Sequence, residues 1–262
     1  FDWNEMCNVY LPIPSIEKQR KIVEAYMSVE ERINLKRKIN DNLVAVGMAS
    51  IRKNVGRCAL INLTEAEMDS LTLPDNFKVQ TISEFCADTK SGSTPSRTNN
   101  EYWDNGTIPW IKSGEVHNNI TLQTEEHITH LGLNESSTKL LPKDTVLMAM
   151  YGVTAGEVGY LAIEATTNQA ICGMNCHSKA DAAYLYFTLI QSQAAISRLS
   201  NGGAQDNLNK NFIDNIKIVV PPSGFIEKLN LATIIKQMTL NTKEMVLLEE
   251  LQSTVLAQLL SR

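Results

Sequence analysis

The stretch VVPPSGFIEKL, residues 219–229, echoes LPIPSIEKQ, residues 11–19. Each brings an apolar run to a proline, follows it with serine and continues through Ile-Glu-Lys. Proline cannot continue a central strand, and a serine side chain can accept from the first free N–H groups of a helix. Both stretches therefore read as a strand stop followed by a helix start. The repeated unit is a globular domain that runs into a long helix. The 262 residues hold one whole unit, preceded by the end of another domain and that domain's helix.

Hydrophobic spacing downstream of each stretch supports the helices. From about Ile16 to Lys53, Ile22, Tyr26, Val29 and Ile33 follow helical spacing, and Ile39, Leu43 and Val46 resume it. From about Ile226 to Leu260, Ile234, Met238, Asn241, Met245, Leu248, Gln252, Val255 and Leu259 alternate steps of four and three. That is a coiled-coil seam with two polar positions. The two helices flank one domain, so its ends must lie close together if they are to pair antiparallel. The basic run from Leu35 to Lys38 interrupts the first stripe and reads as a solvated helix face.

Between the helices the pattern is mixed. Phe77–Phe85, Ile108–Lys112, Thr145–Tyr151, Gly156–Ile163, Ala170–Asn175 and Asn215–Val220 read as short strands bounded by turn residues. Ala180–Ser200 reads as a helix with Tyr184, Phe187, Ile190 and Ala194 on one face. Residues 54–76 read as a linker. The expected fold class is α+β: a mixed domain of short strands, flanked by two long helices that pair as an antiparallel coiled coil.

Composition narrows the function. No apolar stretch approaches the roughly 18 residues that span a bilayer, and no signal-peptide pattern precedes the first domain, so no membrane partner and a cytoplasmic location are expected. The start at Phe1 rather than Met suggests a fragment of a longer chain. Cys7, Cys58, Cys86, Cys172 and Cys176 are odd in number and irregular in spacing, which argues for a reducing compartment. Cys172, Cys176 and His177 lack a second cluster at metal spacing and read as strand residues with buried thiols, so no metal is expected. Neither a phosphate-binding loop nor a dinucleotide-binding glycine pattern occurs. His127 and His130 stand without a partner for nucleophilic catalysis, and no catalytic residue is assigned.

The net charge of −5 is unevenly spread: residues 15–57 carry ten Lys/Arg against five Asp/Glu, and residues 77–220 carry ten against fourteen. Free-standing nucleic-acid binders are usually basic. A nucleic acid bound by residues 77–220 would need phosphate contacts supplied from elsewhere.

Three blocks of the central region resemble a known family. SGSTPSRTNNEYWDNGTIPWIKSGEV (91–116) carries Gly, Thr-Pro-Ser, a Tyr-Trp pair and Ile-Pro-Trp-Ile. LLPKDTVLMAMYGVTAGEVGYL (140–161) with TTNQAICGM (166–174) forms a middle block, and NGGAQDNLNKNFIDNIKIVVPP (201–222) closes it. With the Pro-x-x-Glu-x-Gln helix start at Pro14–Gln19, these resemble the specificity subunits of type I restriction-modification systems. The second helix start departs from the pattern, with Gly224 and Phe225 inserted and Leu229 in place of the glutamine. The resemblance implies a division into the tail of a preceding target recognition domain (1–14), a central long helix (15–57), a linker (58–76), a target recognition domain (77–222) and a distal long helix (223–262).

The resemblance also implies recognition rather than catalysis. One target domain reads one half of a split double-stranded DNA site. The helices set the half-site spacing and dock modification subunits, which carry S-adenosylmethionine and methylate adenine; a restriction subunit joins for cleavage. This chain itself carries no cofactor. It contains no Asn/Asp-Pro-Pro-Tyr/Phe block of an adenine methyltransferase. Side chains with fixed donors and acceptors read base edges. The candidate DNA-binding residues are Ser91, Thr94, Ser96, Arg97, Thr98, Asn99, Lys112, Tyr151, Thr154, Asn168, Gln169, Gln205, Asn207, Asn209 and Lys210, with Trp103 and Trp110 anchoring the first loop. One target domain with two helices also suits a homodimer through apolar helix residues such as Leu35, Leu240 and Leu247. Two other readings fit the same residues: the recognition part of a fused single-chain restriction-methyltransferase, and a coiled-coil protein-interaction module.

Overall fold

Ser15 caps the first helix by accepting the Lys18 N–H at 3.4 Å, and the helix α1 then runs unbroken from Ile16 to Asn54. Glu17 in its first turn and Arg52 and Lys53 in its last suit the helix dipole. The second helix start behaves differently. Phe225–Lys228 makes a single turn, Asn230 adopts a left-handed conformation (φ 54°), and the long helix α3 begins only at Leu231 and continues to Leu260. The distal helix expected from residue 223 is therefore a helical turn, a corner and a helix. This computed structural model describes residues 2–9, 13–56, 58–61, 66–67, 70–200, 208–222 and 224–260.

The long helices pair antiparallel. Contacts descend along α3 as they climb α1: Glu30 with Gln252, Arg32 and Lys36 with Glu244, and Asn40 with Asn241 and Thr242. Asn241 is only 1 % exposed. Its amide donates to Asn40 Oδ1 at 2.8 Å, and its own Oδ1 accepts from Lys36 and Gln237. A polar pair satisfied in one alignment only fixes register at some cost in stability. Ile33 and Met238 are buried, and Ile22, Tyr26, Val29, Ile39, Leu43, Ile234, Met245, Leu248 and Val255 are half-buried. The side chain of Leu259 lies outside the described residues.

Val46 departs from the expected stripe and is 55 % exposed. Beyond Leu43, α1 packs against a third helix, α2 (Lys179–Ser200), and the buried face turns to Gly47 and Ile51. Helix α2 is the hub of the core, with every residue from Ala182 to Leu189 fully buried, while Ala194, expected on its inner face, is exposed. At the crossing of α1 and α2, a Cβ on Gly47 would lie 2.5–2.7 Å from three carbons of the Phe187 ring. Gly47→Ala is expected to destabilise the fold. Alanine's gain of about 1 kcal/mol in helix propensity is outweighed by about 1–3 kcal/mol of overpacking against a ring with no room to move. Chemical denaturation measures this, and an unchanged or raised midpoint would contradict it.

The strands are β1 (Lys78–Thr81), β2 (Cys86–Ser91), β3 (Ile108–Ile111), β4 (Ile120–Thr121), β5 (Glu126–Ile128), β6 (Val146–Ala149), β7 (Val158–Leu161), β8 (Thr166–Thr167), β9 (Ile171–Cys176) and β10 (Lys217–Val220). They form a five-stranded sheet in the order β2-β9-β6-β7-β4, a three-stranded sheet β5-β3-β8 and the pair β1-β10. Ile82–Phe85, read from sequence as strand, is a helical turn because Thr81 and Glu84 form a capping box. The expected linker opens with four buried residues, 58–61. Leu60 N–H donates to Lys217 O and Val219 N–H to Cys58 O, so this segment lies along the free side of β10 and widens the β1-β10 sheet. Strands β1 and β10 pair Lys78 with Val220, which closes the two ends of the domain beside the helix pair.

Cys172 is buried in β9, and Cys86 and Cys176 face each other across β2 and β9 with sulfurs 3.9 Å apart. Among the described residues no group of His, Cys, Asp or Glu side chains could hold a metal ion, and no helix is long and apolar enough to cross a membrane.

Candidate nucleic-acid interface

The 91–100 loop is attached where β2 ends. A Cβ on Gly92 would lie 2.2 Å from the carbonyl oxygens of Thr167 and Asn168, so only glycine lets the chain pass. Gly92 N–H donates to Ile171 O at 3.2 Å and Ser93 N–H to Thr167 O at 2.9 Å. Two tryptophans then hold the loop from beneath. Trp110 Nε1 donates to Ser93 O and Trp103 Nε1 to Ser96 O, each at 3.0 Å. Their rings meet edge to face, 5.0 Å apart at 90°. Trp110 is buried with Ile108 and Ile128, which roots the anchor in the small β5-β3-β8 sheet.

Arg97 sits on that anchor. Its guanidinium carbon lies 3.6 Å from the Trp103 ring centroid and 4.7 Å from that of Trp110. Its Nη1 donates to Glu126 Oε2 at 2.5 Å. The other Glu126 oxygen lies 3.2 Å from Lys112 Nζ, which also donates to Glu125 at 2.6 Å. The Arg97 hydrogen bond, opposed by burial and aided by Lys112, holds the Glu126 carboxyl below its ordinary range. Glu125 and then Glu126 raise the Lys112 ammonium above its own.

The remaining loops join into one rim at the same end of the sheets. Thr94 Oγ1 donates to Gln169 Oε1 at 2.6 Å. Asn168 N–H donates to Ile111 O, its Oδ1 accepts from Ala170 N–H, and Met150 N–H donates to Ala170 O. Glu115 ties the 112–115 turn to the 124–125 turn by accepting from the Lys112 N–H, the Thr124 hydroxyl and the Glu125 N–H. The β6–β7 connection joins the rim where Thr154 Oγ1 donates to Ser113 O at 3.0 Å. At its tip Tyr151 is exposed and Val153 fully so.

Ser96, Arg97, Thr98, Tyr151 and Gln169 thus stand exposed on this rim, with Ser91, Thr94, Asn99, Lys112 and Asn168 half-buried around them. The Ser96 and Thr98 hydroxyls hydrogen-bond to each other, and Asn99 Oδ1 caps the turn at Glu101. Thr154 does not fit a reading role: it is buried, and its hydroxyl is spent on the Ser113 carbonyl. Asn209 caps the Lys210–Asp214 turn by accepting from Phe212 N–H, and Lys210 Nζ pairs with Asp214 at 2.5 Å. Asp214 in turn accepts from Thr89, so both residues attach to the middle of β2 rather than to the rim. Gln205 and Asn207 lie outside the described residues. Sequence reasoning missed Glu115, Glu125, Glu126 and Val153. The only local signals were a glutamate two residues after Ser113 and a valine set between Gly152 and Gly156.

Chemically the rim offers hydroxyls, amides and one guanidinium at fixed positions, which suits hydrogen bonding to base edges. Its cations are matched by carboxylates, which suits phosphates poorly. Among the described residues it brings together no nucleophile with a base.

A family model described as the type I restriction modification DNA specificity domain matches residues 74–249. The specificity subunit of the EcoR124I/EcoR124II type I restriction enzyme of Escherichia coli is 24% identical over 217 residues, covering 80% of this chain and 51% of that protein. The specificity subunit of the HindI type I restriction enzyme of Haemophilus influenzae is 25% identical over 210 residues, covering 78% of this chain and 45% of that protein. The chain spans about half the length of the curated relatives it matches. In fold it is similar to the S subunit of a type I restriction-modification system from M. genitalium, with a TM-score of 0.60 at 15% identity, over 92% of this chain and 60% of that one.

Proposed function

Because this chain belongs to the type I restriction-modification DNA specificity family, we propose that it reads one half of a split double-stranded DNA site and docks modification subunits through its long helices. The observation that carries this reading is the rim: four polar loops from separate parts of the sequence are hydrogen-bonded into one continuous surface at one end of the sheets. The chain acts by recognition and performs no chemical step. S-adenosylmethionine belongs on the modification partner, and a restriction subunit joins the assembly for cleavage.

Electrostatics supports a need for that partner. Residues 77–220 carry fourteen Asp/Glu against ten Lys/Arg, and Arg97 and Lys112 are paired with glutamates. Phosphate neutralisation supplies much of the affinity of DNA-binding proteins, so most of it must come from the modification subunits and the basic helix α1. The helix pair leaves Leu35, Leu240 and Leu247 at 57, 50 and 64 % exposure. These leucines suit a helical partner, and a second copy of this chain would supply the second reader of a two-fold symmetric site.

Reconstitution tests the reading. The chain alone is expected to bind duplex DNA weakly, and the chain with its modification subunit to bind one sequence tightly, at a single fixed salt concentration. Tight sequence-specific binding by the chain alone would contradict this partition, and no specific binding by the complex would contradict the function. Light scattering across a concentration range measures self-association directly.

A further inference from the structure

We infer that Arg97 reads a guanine in the half-site and that Glu126 is a positioning residue for it; this rests on the DNA-reading function proposed above. Three constraints fix the guanidinium. The Trp103 and Trp110 rings flank it, its carbon 3.6 and 4.7 Å from their centroids. Glu126 takes Nη1. Lys112 holds the other Glu126 oxygen, so the carboxylate cannot swing away freely. The Nε and Nη2 edge carries no hydrogen bond to any described residue, and Arg97 remains half exposed. That edge is the side-on donor fork, two parallel N–H groups whose spacing matches the O6 and N7 acceptors of guanine.

The alternative target is a phosphate, and charge decides against it. A phosphate contact draws on net positive charge, but Arg97 and Lys112 face Glu125 and Glu126. A base contact draws on donor geometry, which the carboxylate leaves intact. Adenine presents a donor where guanine presents O6, so the same fork rejects it. An arginine already ordered before binding also loses less rotamer entropy when it docks. Trp103 lies within the stretch singled out from sequence as an anchor; its second use is as the platform under the reading group.

The test uses the full chain expressed with its modification subunit, with the methylated adenine motif mapped by long-read sequencing of host DNA. The wild-type motif is expected to hold a fixed guanine in its half-site. Arg97→Lys keeps the charge and the ion pair but loses the fork. It is expected to lower discrimination at that one position by roughly tenfold to a hundredfold while the rest of the motif stands. Glu126→Ala is expected to relax the same position, and Glu126→Gln, which keeps an acceptor for Nη1, to restore most of it. Tryptophan fluorescence and melting curves confirm that each variant is folded. A motif without guanine, an unchanged motif in both Arg97→Lys and Glu126→Ala, or an even loss of methylation at all sites would overturn the inference. A wild-type complex that methylates no motif would overturn the proposed function and the inference with it.

Discussion

Gly92→Ala is expected to weaken recognition and stability together. The added Cβ meets backbone rather than a movable side chain, 2.2 Å from the carbonyl oxygens of Thr167 and Asn168. Relief requires lifting the loop off the end of β8, which loosens the bonds from Gly92 N–H to Ile171 and from Ser93 N–H to Thr167. The expected cost is about 3 kcal/mol, the upper end of overpacking penalties. The loop then carries Ser96, Arg97 and Thr98 out of place, and loss of one good base contact alone corresponds to about 1–3 kcal/mol of specificity. Gly114→Ala is the control, because a Cβ there meets nothing within 4 Å. Thermal unfolding and binding of the reconstituted complex to its own site measure the two effects. A Gly92→Ala protein that melts and binds like Gly114→Ala would refute the close approach.

Ile33→Ala is expected to lose about 2–5 kcal/mol, the usual range when a large buried side chain is cut to a methyl group. Ile33 is 1 % exposed, on the stretch of α1 between the Glu30–Gln252 and Lys36–Asn241 contacts. A cavity there opens in the middle of the helix pair. Leu35 is two residues away on the outer face, and Leu35→Ala is expected to change stability by less than about 0.5 kcal/mol, as surface substitutions do. Urea denaturation at low protein concentration compares the two. Equal losses would contradict the assignment: large in both variants, they would place Leu35 in a buried seam as well; small in both, they would place Ile33 outside one.

Periodic features were legible in the sequence. The stripe from Ile22 to Leu43 and the seam from Ile234 to Val255 identified both helices and their pairing, because one buried face forces apolar spacing. The stripe failed at Val46, where the partner changes from α3 to α2 and the inward face becomes Gly47, a residue with no hydrophobic signal. Strands β4 and β8 are two residues long. Neighbouring chain holds them, and they leave no local pattern. Asn230 broke the distal helix through its backbone conformation, which its identity permits but does not require.

The rim was half legible. Polar loops between apolar strands marked Ser96, Arg97 and Gln169, and two tryptophans marked the anchor. Glu126 stands 29 residues from Arg97, and only the pairing of β3 with β5 brings it there. Thr154 looked like its exposed neighbours because residue type does not say which way a hydroxyl points.

The pairing of β1 with β10 bears on the order in which the molecule assembles. Asn40 and Asn241 are 201 residues apart, and the entropy of closing a loop grows with the logarithm of its length. In a chain without the central domain folded, the two helices would search for each other across that whole span. Once Lys78 lies beside Val220, the span collapses to short tethers at either end of the domain, and each helix meets the other at high effective concentration. Closing the domain therefore favours helix pairing, and partial unfolding of the domain is expected to weaken it.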